Sequence, residues 1–419
     1  MPYIPESLML SSAIRMATRR PETLTEAWSF IATSYPSVTG AENVLLSACG
    51  GRCLAEDIVA PNNLPRFDAA AMDGYAVRSA DLDMEGEAEL RLVGEVAAGH
   101  PWRREVGKGE AVRIFTGAAV PPGADRVVPQ EFCRVATGRV SVAARIGGKP
   151  HIRMSGEDVL AGQRVLAAGT LLQPAQLALL SALRIESVPV LRGLRVVLLS
   201  VGDELSEDME PLKEVGIVDS NRPMLRGWLE KLGCIVDDLG IVPDSADTLL
   251  QRLVDAAAEA DLIVTSGGAS VGPADHLARL IVRRGYLEFW KLAMRPGKPV
   301  GLGDIDDCPI LALPGNPFAA AAAFTLIGRA LIARLSGNAS ARPEPVILPL
   351  ARSVSTQLGR LQVLAGKLTS SAVGETVAEP LEIQGSASLI ALAGAQGLIL
   401  LPGDRENFVP GDLVEFVPI

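Results

Sequence analysis

From Leu194 onward, short runs of consecutive apolar residues alternate with segments whose apolar positions recur every three or four residues. LRVVLLS (194–200), CIVDDLGIV (234–242), DLIVTS (261–266) and CPILALPG (308–315) read as buried strands. NRPMLRGWLEKLG (221–233), SADTLLQRLVDAAAEA (245–260), PADHLARLIVRRG (273–285) and PFAAAAAFTLIGRALIARLSG (317–337) read as helices. Gly233 stops the first, Asp244 or Ser245 could cap the second, and Pro317 stands in the first turn of the last. Strands apolar throughout, alternating with helices, predict a parallel sheet covered on both faces. Upstream, Thr23 to Ile58 predicts an amphipathic helix and a short strand, and Asp68 to Pro150 a series of short strands broken by glycine. AGQRVLAAGTLLQPAQLALLSALRI (161–185) returns to helix, so a β unit is inserted into a helical one. After the linker NASARPEP (338–345), short β runs from Val346 to Ile419 predict a small barrel or sandwich. The fold class is therefore multidomain α/β, with a mixed helical unit at 1–65 and 156–192, a β insertion at 66–155, a parallel-sheet unit at 193–337 and a β unit at 338–419.

Composition narrows the function. A net charge of −10 argues against nucleic acid as a partner, because phosphate backbones reward a basic surface. Five scattered cysteines suit a reducing compartment and a structural role for the Cys49/Cys53 pair. The arginines of residues 1–20 follow the acidic residue, the reverse of a signal peptide, and apolar runs such as Phe318 to Gly328 are short for a bilayer. A cytoplasmic protein without a membrane partner is the expectation.

In an open parallel sheet, ligands bind beyond the carboxyl ends of the strands. Three loops fall there: SVGDEL (200–205), TSGGASVG (265–272) and LPGNP (313–317). The glycine-rich loop either closes a βα connection or lets its backbone cradle a phosphate, and three such loops at one edge favour a ligand site. Asp203, Glu204, Asp219, Asp244 and Asp275 share that edge. Carboxylates beside a phosphate repel it unless a divalent cation intervenes, so Mg²⁺ is inferred, with helix capping the alternative for Asp244 and Asp275. KLAMRPGKP (291–299) brings Lys291, Arg295 and Lys298, the local positive charge an anionic ligand needs. In the β insertion, Asp68, Asp73, Glu131 and the Thr116-Gly117 pair are either ligand contacts or surface turns. His100, His151 and His276 lie far apart, which disfavours a histidine base.

FDAAAMDGYAV, RIFTGAAVPPGADRVVPQE, SGEDVLAG, VGDEL, VDSNRPML, SGGASVGPAD, KLAMRPGKP and LPGNP occur in this order. Together they resemble the molybdopterin molybdenumtransferase family, which includes the gephyrin E domain, over roughly Glu26 to the C-terminus. The resemblance implies a molybdopterin-binding α/β domain, a C-terminal β-barrel and a homodimer whose active site joins the α/β domain of one subunit to the inserted domain of the other. It implies insertion of molybdate into adenylylated molybdopterin with Mg²⁺ and release of AMP, and delivery to molybdoenzymes or cofactor carriers. Carried over, Glu204, Asp244, Asp275 and Asp73 would be catalytic, and Glu204, Asp158 and Asp275 would hold the metal. Thr116, Ser266, Gly267, Gly268, Ser270, Gly272, Lys291, Arg295, Lys298, Pro314, Gly315 and Asn316 would bind the substrate. The chain departs from the family pattern at Ala69-Ala70 (usually Asn-Ser), His151 (Asn), Val201 (Thr), Ala269 (Val) and Arg295 (Lys). Those departures leave room for a binding or scaffold paralogue without catalysis. An adenylyltransferase is the other rival, although it would not need the inserted unit.

Overall fold

The computed structural model describes residues 21–37, 40–82, 86–143, 148–207, 215–268, 276–337 and 343–419. In chain order they include α1 (Leu24–Ser34), β1 (Ala41–Leu45), β2 (Gly74–Val77), β3 (Ala88–Val96), β4 (Glu110–Ile114), β5 (Arg126–Pro129), β6 (Cys133–Ala136), β7 (Arg139–Val142), α2 (Pro174–Ala182) and β8 (Ser187–Leu191). The central unit comprises β9 (Arg195–Val201), α3 (Asn221–Lys231), β10 (Ile235–Val242), α4 (Ala246–Glu259), β11 (Leu262–Ser266), α5 (His276–Arg284), β12 (Gly285–Phe289), β13 (Gly301–Ile305), β14 (Cys308–Leu313) and α6 (Pro317–Leu335). The C-terminal part holds β15 (Val346–Pro349), β16 (Leu361–Ser370), β17 (Thr376–Pro380), α7 (Leu389–Gly394), β18 (Gly397–Leu401) and β19 (Leu413–Pro418).

The central sheet runs β10-β9-β11-β14-β13-β12. Its first four strands are parallel, as their largely apolar character predicts. Val196, Leu198, Leu262, Val264, Leu311 and Leu313 pack with α1, α3 and α6 on one face, while Val197, Leu199, Ile263, Ile310 and Ala312 pack with α4 and α5 on the other. The period-two division of the inner strands between two helical layers calls for apolar residues on both faces, while the edge strand β10 carries Asp237 and Asp238. The remaining two strands are antiparallel, which the helix–strand alternation did not foretell. The cause is local. Asp306 and Asp307 both adopt positive φ (47° and 67°), making the two-residue turn that folds β13 straight back onto β14.

Helix α6 is long and apolar enough to cross a bilayer, contrary to the estimate from its apolar run, yet 83% of it is buried inside the protein. It is a core helix. Its middle turn, Phe324–Gly328, is a π-helix, and the Leu326 carbonyl there accepts a 2.6 Å bond from Trp28 Nε1 of α1. The stretch 161–185 also differs from expectation. Helix begins only at Pro174, and Arg164–Leu166 instead pairs with Ile58–Val59.

The inserted sheet runs β5-β2-β4-β3-β7-β6, with buried clusters on both faces. In the C-terminal sheet the order is β16-β18-β19-β15, with β17 on β16. On the outer side of β16 a segment from the central unit, Met294–Arg295, pairs in parallel with Leu361 and Gln362. This pairing brings the basic KLAMRPGKP segment against the C-terminal sheet.

Between β8 and β9, Arg192 makes a two-pronged ion pair with Asp261, both contacts 2.5 Å, and the Arg195 N–H donates to the same carboxylate at 2.8 Å. This tie fixes where the chain enters the central sheet. Partial burial works against the Asp261 carboxylate, but Arg192 and the Arg195 N–H outweigh it and hold its pKa below the ordinary 3.8. A carboxyl depressed on folding stabilises the fold above its unfolded pKa, and that contribution is lost as pH falls through the folded value. Asp261→Asn should therefore lower stability at neutral pH and flatten its decline below about pH 4. Urea midpoints measured between pH 2 and 7 check this, and parallel wild-type and variant curves would contradict it.

Candidate active site at the carboxyl edge of the central sheet

Strand β9 has β10 on one side and β11 on the other, so the winding of the sheet reverses there. Such a reversal opens a crevice at the carboxyl ends of the strands. The loops after β9, β11 and β14 meet in it. Gly267 has φ 84°, and a Cβ on it would lie 2.3 Å from the Val201 carbonyl oxygen, so only glycine fits. Its N–H donates to the Leu313 carbonyl at 3.1 Å. A Cβ on Gly315 would lie 3.8 Å from the Gly267 Cα, so the two loops are in close contact. Asn221, the first residue of α3, reaches both: its Nδ2 donates to Ser266 Oγ at 2.8 Å and to the Gly315 carbonyl at 2.7 Å.

The acids of this edge separate into two kinds. Asp219 is 4% exposed and belongs to the scaffold. It accepts from the Arg222 N–H and guanidinium, each at 3.1 Å, and the same guanidinium reaches Asp238 at 3.0 Å and also Glu207. Burial opposes the Arg222 charge, but bonds from Asp238, Asp219 and Glu207 prevail and raise its pKa. Asp203 and Glu204 are exposed and Asp244 is half-buried. The Asp244 N–H donates to Asp203 Oδ1 at 3.1 Å, which ties the loop after β10 to the loop after β9. Ser245, not Asp244, is the N-cap of α4, and no side-chain capping bond forms. Glu204 folds back over Gly202, whose added Cβ would meet its carboxylate at 2.6 Å. Among the described residues, no three His, Cys, Asp or Glu side chains converge as a metal-holding group.

Beside the glycine loop lies a cleft of about 460 Å³. Arg295, Lys298 and Arg360 line it together with Pro314, Asn316 and Ser386. Asn316 Nδ2 donates to Ser386 Oγ at 3.2 Å, and the Ala319 N–H at the start of α6 donates to the Ser386 carbonyl at 3.1 Å. Arg295 is steadied by Gln357 at 3.0 Å. Lys291 is exposed and does not line this cleft. Arg360, Ser386 and Asn221 are the residues that sequence reasoning missed. Asn221 stands within a quoted motif, but Arg360 and Ser386 lie in the C-terminal β region. The pairing of Met294–Arg295 with β16 brings Arg360 to the cleft, and the bonds from Asn316 and Ala319 bring Ser386.

Asp73 and Thr116 lie on the inserted sheet, next to β2 and β4. The Thr116 N–H and hydroxyl donate to Asp73 Oδ1 at 2.8 and 2.7 Å. These bonds, with Arg113 nearby, hold the Asp73 carboxyl below its ordinary pKa. Asp158 is exposed near the base of the same insertion, its N–H donating to the Leu64 carbonyl at 3.0 Å. Asp68 accepts from the Ser155 N–H at 2.7 Å, and Glu131 is exposed in the turn Gln130–Phe132. Thus Glu204, Asp244, Ser266, Gly267, Gly268, Pro314, Gly315 and Asn316 share one edge, and Asp73, Thr116 and Asp158 belong to a different unit. Ser270, Gly272 and Asp275 lie outside the described residues.

Three family models match the chain: the MoeA N-terminal region (domain I and II) at 22–183, a probable molybdopterin binding domain at 197–334, and the MoeA C-terminal region (domain IV) at 348–419. A molybdopterin molybdenumtransferase of Haemophilus influenzae is 37% identical, with 94% of this chain and 98% of that one aligned. One from Staphylococcus aureus is 30% identical, with 92% of each chain aligned. A crystal structure of a molybdopterin biosynthesis MoeA protein from Pyrococcus horikoshii superposes with a TM-score of 0.81 at 29% identity, covering 96% of this chain and all of that one. With relatives this similar over nearly its whole length, and with a ligand-shaped edge where their binding domain aligns, the chain belongs to the molybdopterin molybdenumtransferase family and is a transferase of molybdenum cofactor biosynthesis.

Proposed function

We propose that the chain inserts molybdate into the dithiolene of adenylylated molybdopterin, cleaves the adenylate linkage and releases AMP. The observation that carries this reading is the position of the loop Pro314–Asn316. On one side it packs against the glycine loop, and on the other it lines the cleft of Arg295, Lys298 and Arg360. Two anion-binding surfaces thus share a wall, as a reaction joining a phosphorylated pterin to an oxyanion requires. The backbone around Ser266–Gly268 would hold the pterin phosphates, and the arginines would fix the tetrahedral dianion through paired N–H donors. The insertion takes place at sulfurs of the pterin, so the buried, raised-pKa cysteines Cys53, Cys234 and Cys308 need play no part.

A metal at this edge would be Mg²⁺. Asp203 and Glu204 present exposed carboxylates there, and Mg²⁺ is ordinarily held by one or two carboxylates together with substrate phosphates. Glu204, Asp158 and Asp275 would hold it, and bound there it would neutralise charge on the phosphate being displaced. Asp73 and Thr116 would complete the site from the inserted unit of a second copy, with Asp158 from the helical unit that carries that insertion, giving a homodimer with two composite sites. The same reading divides the chain at 66, 156, 193 and 338 into the four units expected from its patterning.

Three outcomes test the reading. Wild type should release AMP from adenylylated molybdopterin when molybdate and Mg²⁺ are present, without ATP, and Glu204→Gln should slow release about a hundredfold or more. Wild type that binds the adenylate yet releases nothing would make the chain a binder rather than this catalyst. Arg360→Ala should raise the molybdate KM roughly 10- to 100-fold, the loss of a charge-assisted bond, while the KM for the pterin adenylate stays nearly constant. Mixing the inactive Asp73→Asn and Glu204→Gln chains should restore about a quarter of wild-type activity if sites are shared between copies. No recovery after subunit exchange would place both residues in one chain's site.

A further inference from the structure

We infer that Asn221 is a positioning residue: its amide locks the glycine loop after β11 to the loop after β14, and so sets the separation at which the two anions are presented to each other. The inference rests on the proposed transferase site and adds to it the part that holds its halves in register.

The orientation of the Asn221 amide is fixed by its surroundings. A carbonyl oxygen can only accept, so the group facing Gly315 O must be Nδ2, and the same nitrogen spends its second hydrogen on Ser266 Oγ. Asn221 Oδ1 then points into the protein, buried and without a partner among the described residues. Ser200 Oγ, registered beside Ser266 across the β9–β11 pair and so on the same face of the sheet, is also buried and unpartnered. A buried acceptor left unpaired is a cost to folding that an apolar side chain of similar size would avoid. What Asn221 supplies in return is its pair of donors, one to each ligand loop.

The residue is also anchored. Its neighbour Arg222 is pinned by Asp219, Asp238 and Glu207, so the first turn of α3 has little freedom to follow either loop if that loop moves. Beyond the ladder that pairs Ser266 with Leu313, the Gly267 N–H also ties the ends of β11 and β14 by donating to the Leu313 carbonyl. With Gly267 barred from carrying a side chain by the Val201 carbonyl, no packing contact of its own can replace the amide clamp. The clamp touches neither proposed ligand directly. Its effect should fall on turnover, which needs both anions placed together, more than on the binding of either alone.

Asn221→Asp is nearly isosteric and turns both donors into an acceptor facing the Gly315 carbonyl. We expect kcat for AMP release to fall about a hundredfold, while the dissociation constants for adenylylated molybdopterin alone and molybdate alone move less than about threefold. Deuterium exchange in the peptide spanning Leu262 to Gly268 should accelerate about tenfold. Asn221→Ala, which removes both bonds without introducing a charge, should show the same split. An Asn221→Asp enzyme with kcat within twofold of wild type overturns the inference. So does a variant, folded by its melting curve, that loses both affinities in proportion to kcat, because that marks a ligand contact. If Asn221→Asp does not fold, Asn221→Ala decides by the same criteria. If wild type itself releases no AMP, the proposed function fails, and unchanged exchange in Asn221→Asp would separately overturn the clamp.

Discussion

The Val201 carbonyl oxygen and the Gly267 backbone are in such close contact that no side chain can come between them. That contact exists because β9 and β11 are parallel neighbours in register from Val196/Leu262 to Ser200/Ser266, so their loops leave the sheet side by side. The order of strands around β9 then sends α3 and α4 to opposite faces, and the crevice opens between the loops. Everything proposed for the site depends on this crowding. The two glycines Gly267 and Gly268 leave their backbone uncovered by side chains, and Gly315 lies within van der Waals reach of Gly267. The clamp from Asn221 compensates for the contacts those glycines cannot make.

The parallel part of the sheet was legible because burial on both faces leaves its inner strands apolar over most of their length. The β13–β14 hairpin was not. Its signal is a two-residue turn, and Asp306-Asp307 lacks the glycine that usually marks one, so positive φ is adopted by two aspartates instead. The same limit applies to the site. Residues on the loops after β9, β11 and β14 could be found by their motifs, because parallel strands deliver their outgoing loops to a common edge. Arg360 and Ser386 could not, since Arg360 depends on a pairing between Met294–Arg295 and β16, about 65 residues later in sequence, and Ser386 on bonds from Asn316 and Ala319. Long-range pairing of two short segments leaves no periodic trace.

Acidic residues show why residue type alone misleads. Asp219 and Glu204 stand 15 residues apart at one edge, yet their environments divide them. Asp219 is buried against a guanidinium and serves the scaffold, while Glu204 is exposed, open to a cation or a phosphate-bound water. The buried Arg222 network costs desolvation and offsets it through at least three carboxylates, an arrangement better suited to fixing a position than to adding stability. A rigid start to α3 is what the clamp at Asn221 needs.

The Ala69-Ala70 departure bears on whether the inserted unit still works. Both side chains are buried, at 6% and 1% exposure, and the pair forms strand bonds with Ile152–Arg153. The Ala70 N–H donates to the Ala118 carbonyl, and the Ala70 carbonyl accepts from the Gly117 N–H, both at 2.9 Å. Those are backbone bonds, which alanine makes as well as asparagine or serine. They hold the turn that carries Thr116, and Thr116 in turn holds Asp73 through two bonds of its own. His151, at φ 51°, keeps the left-handed backbone that the family's asparagine favours, and its carbonyl still accepts from the Ala71 N–H at 2.9 Å. Alanine at positions 69 and 70 therefore leaves the bonds that support the Asp73 carboxylate intact.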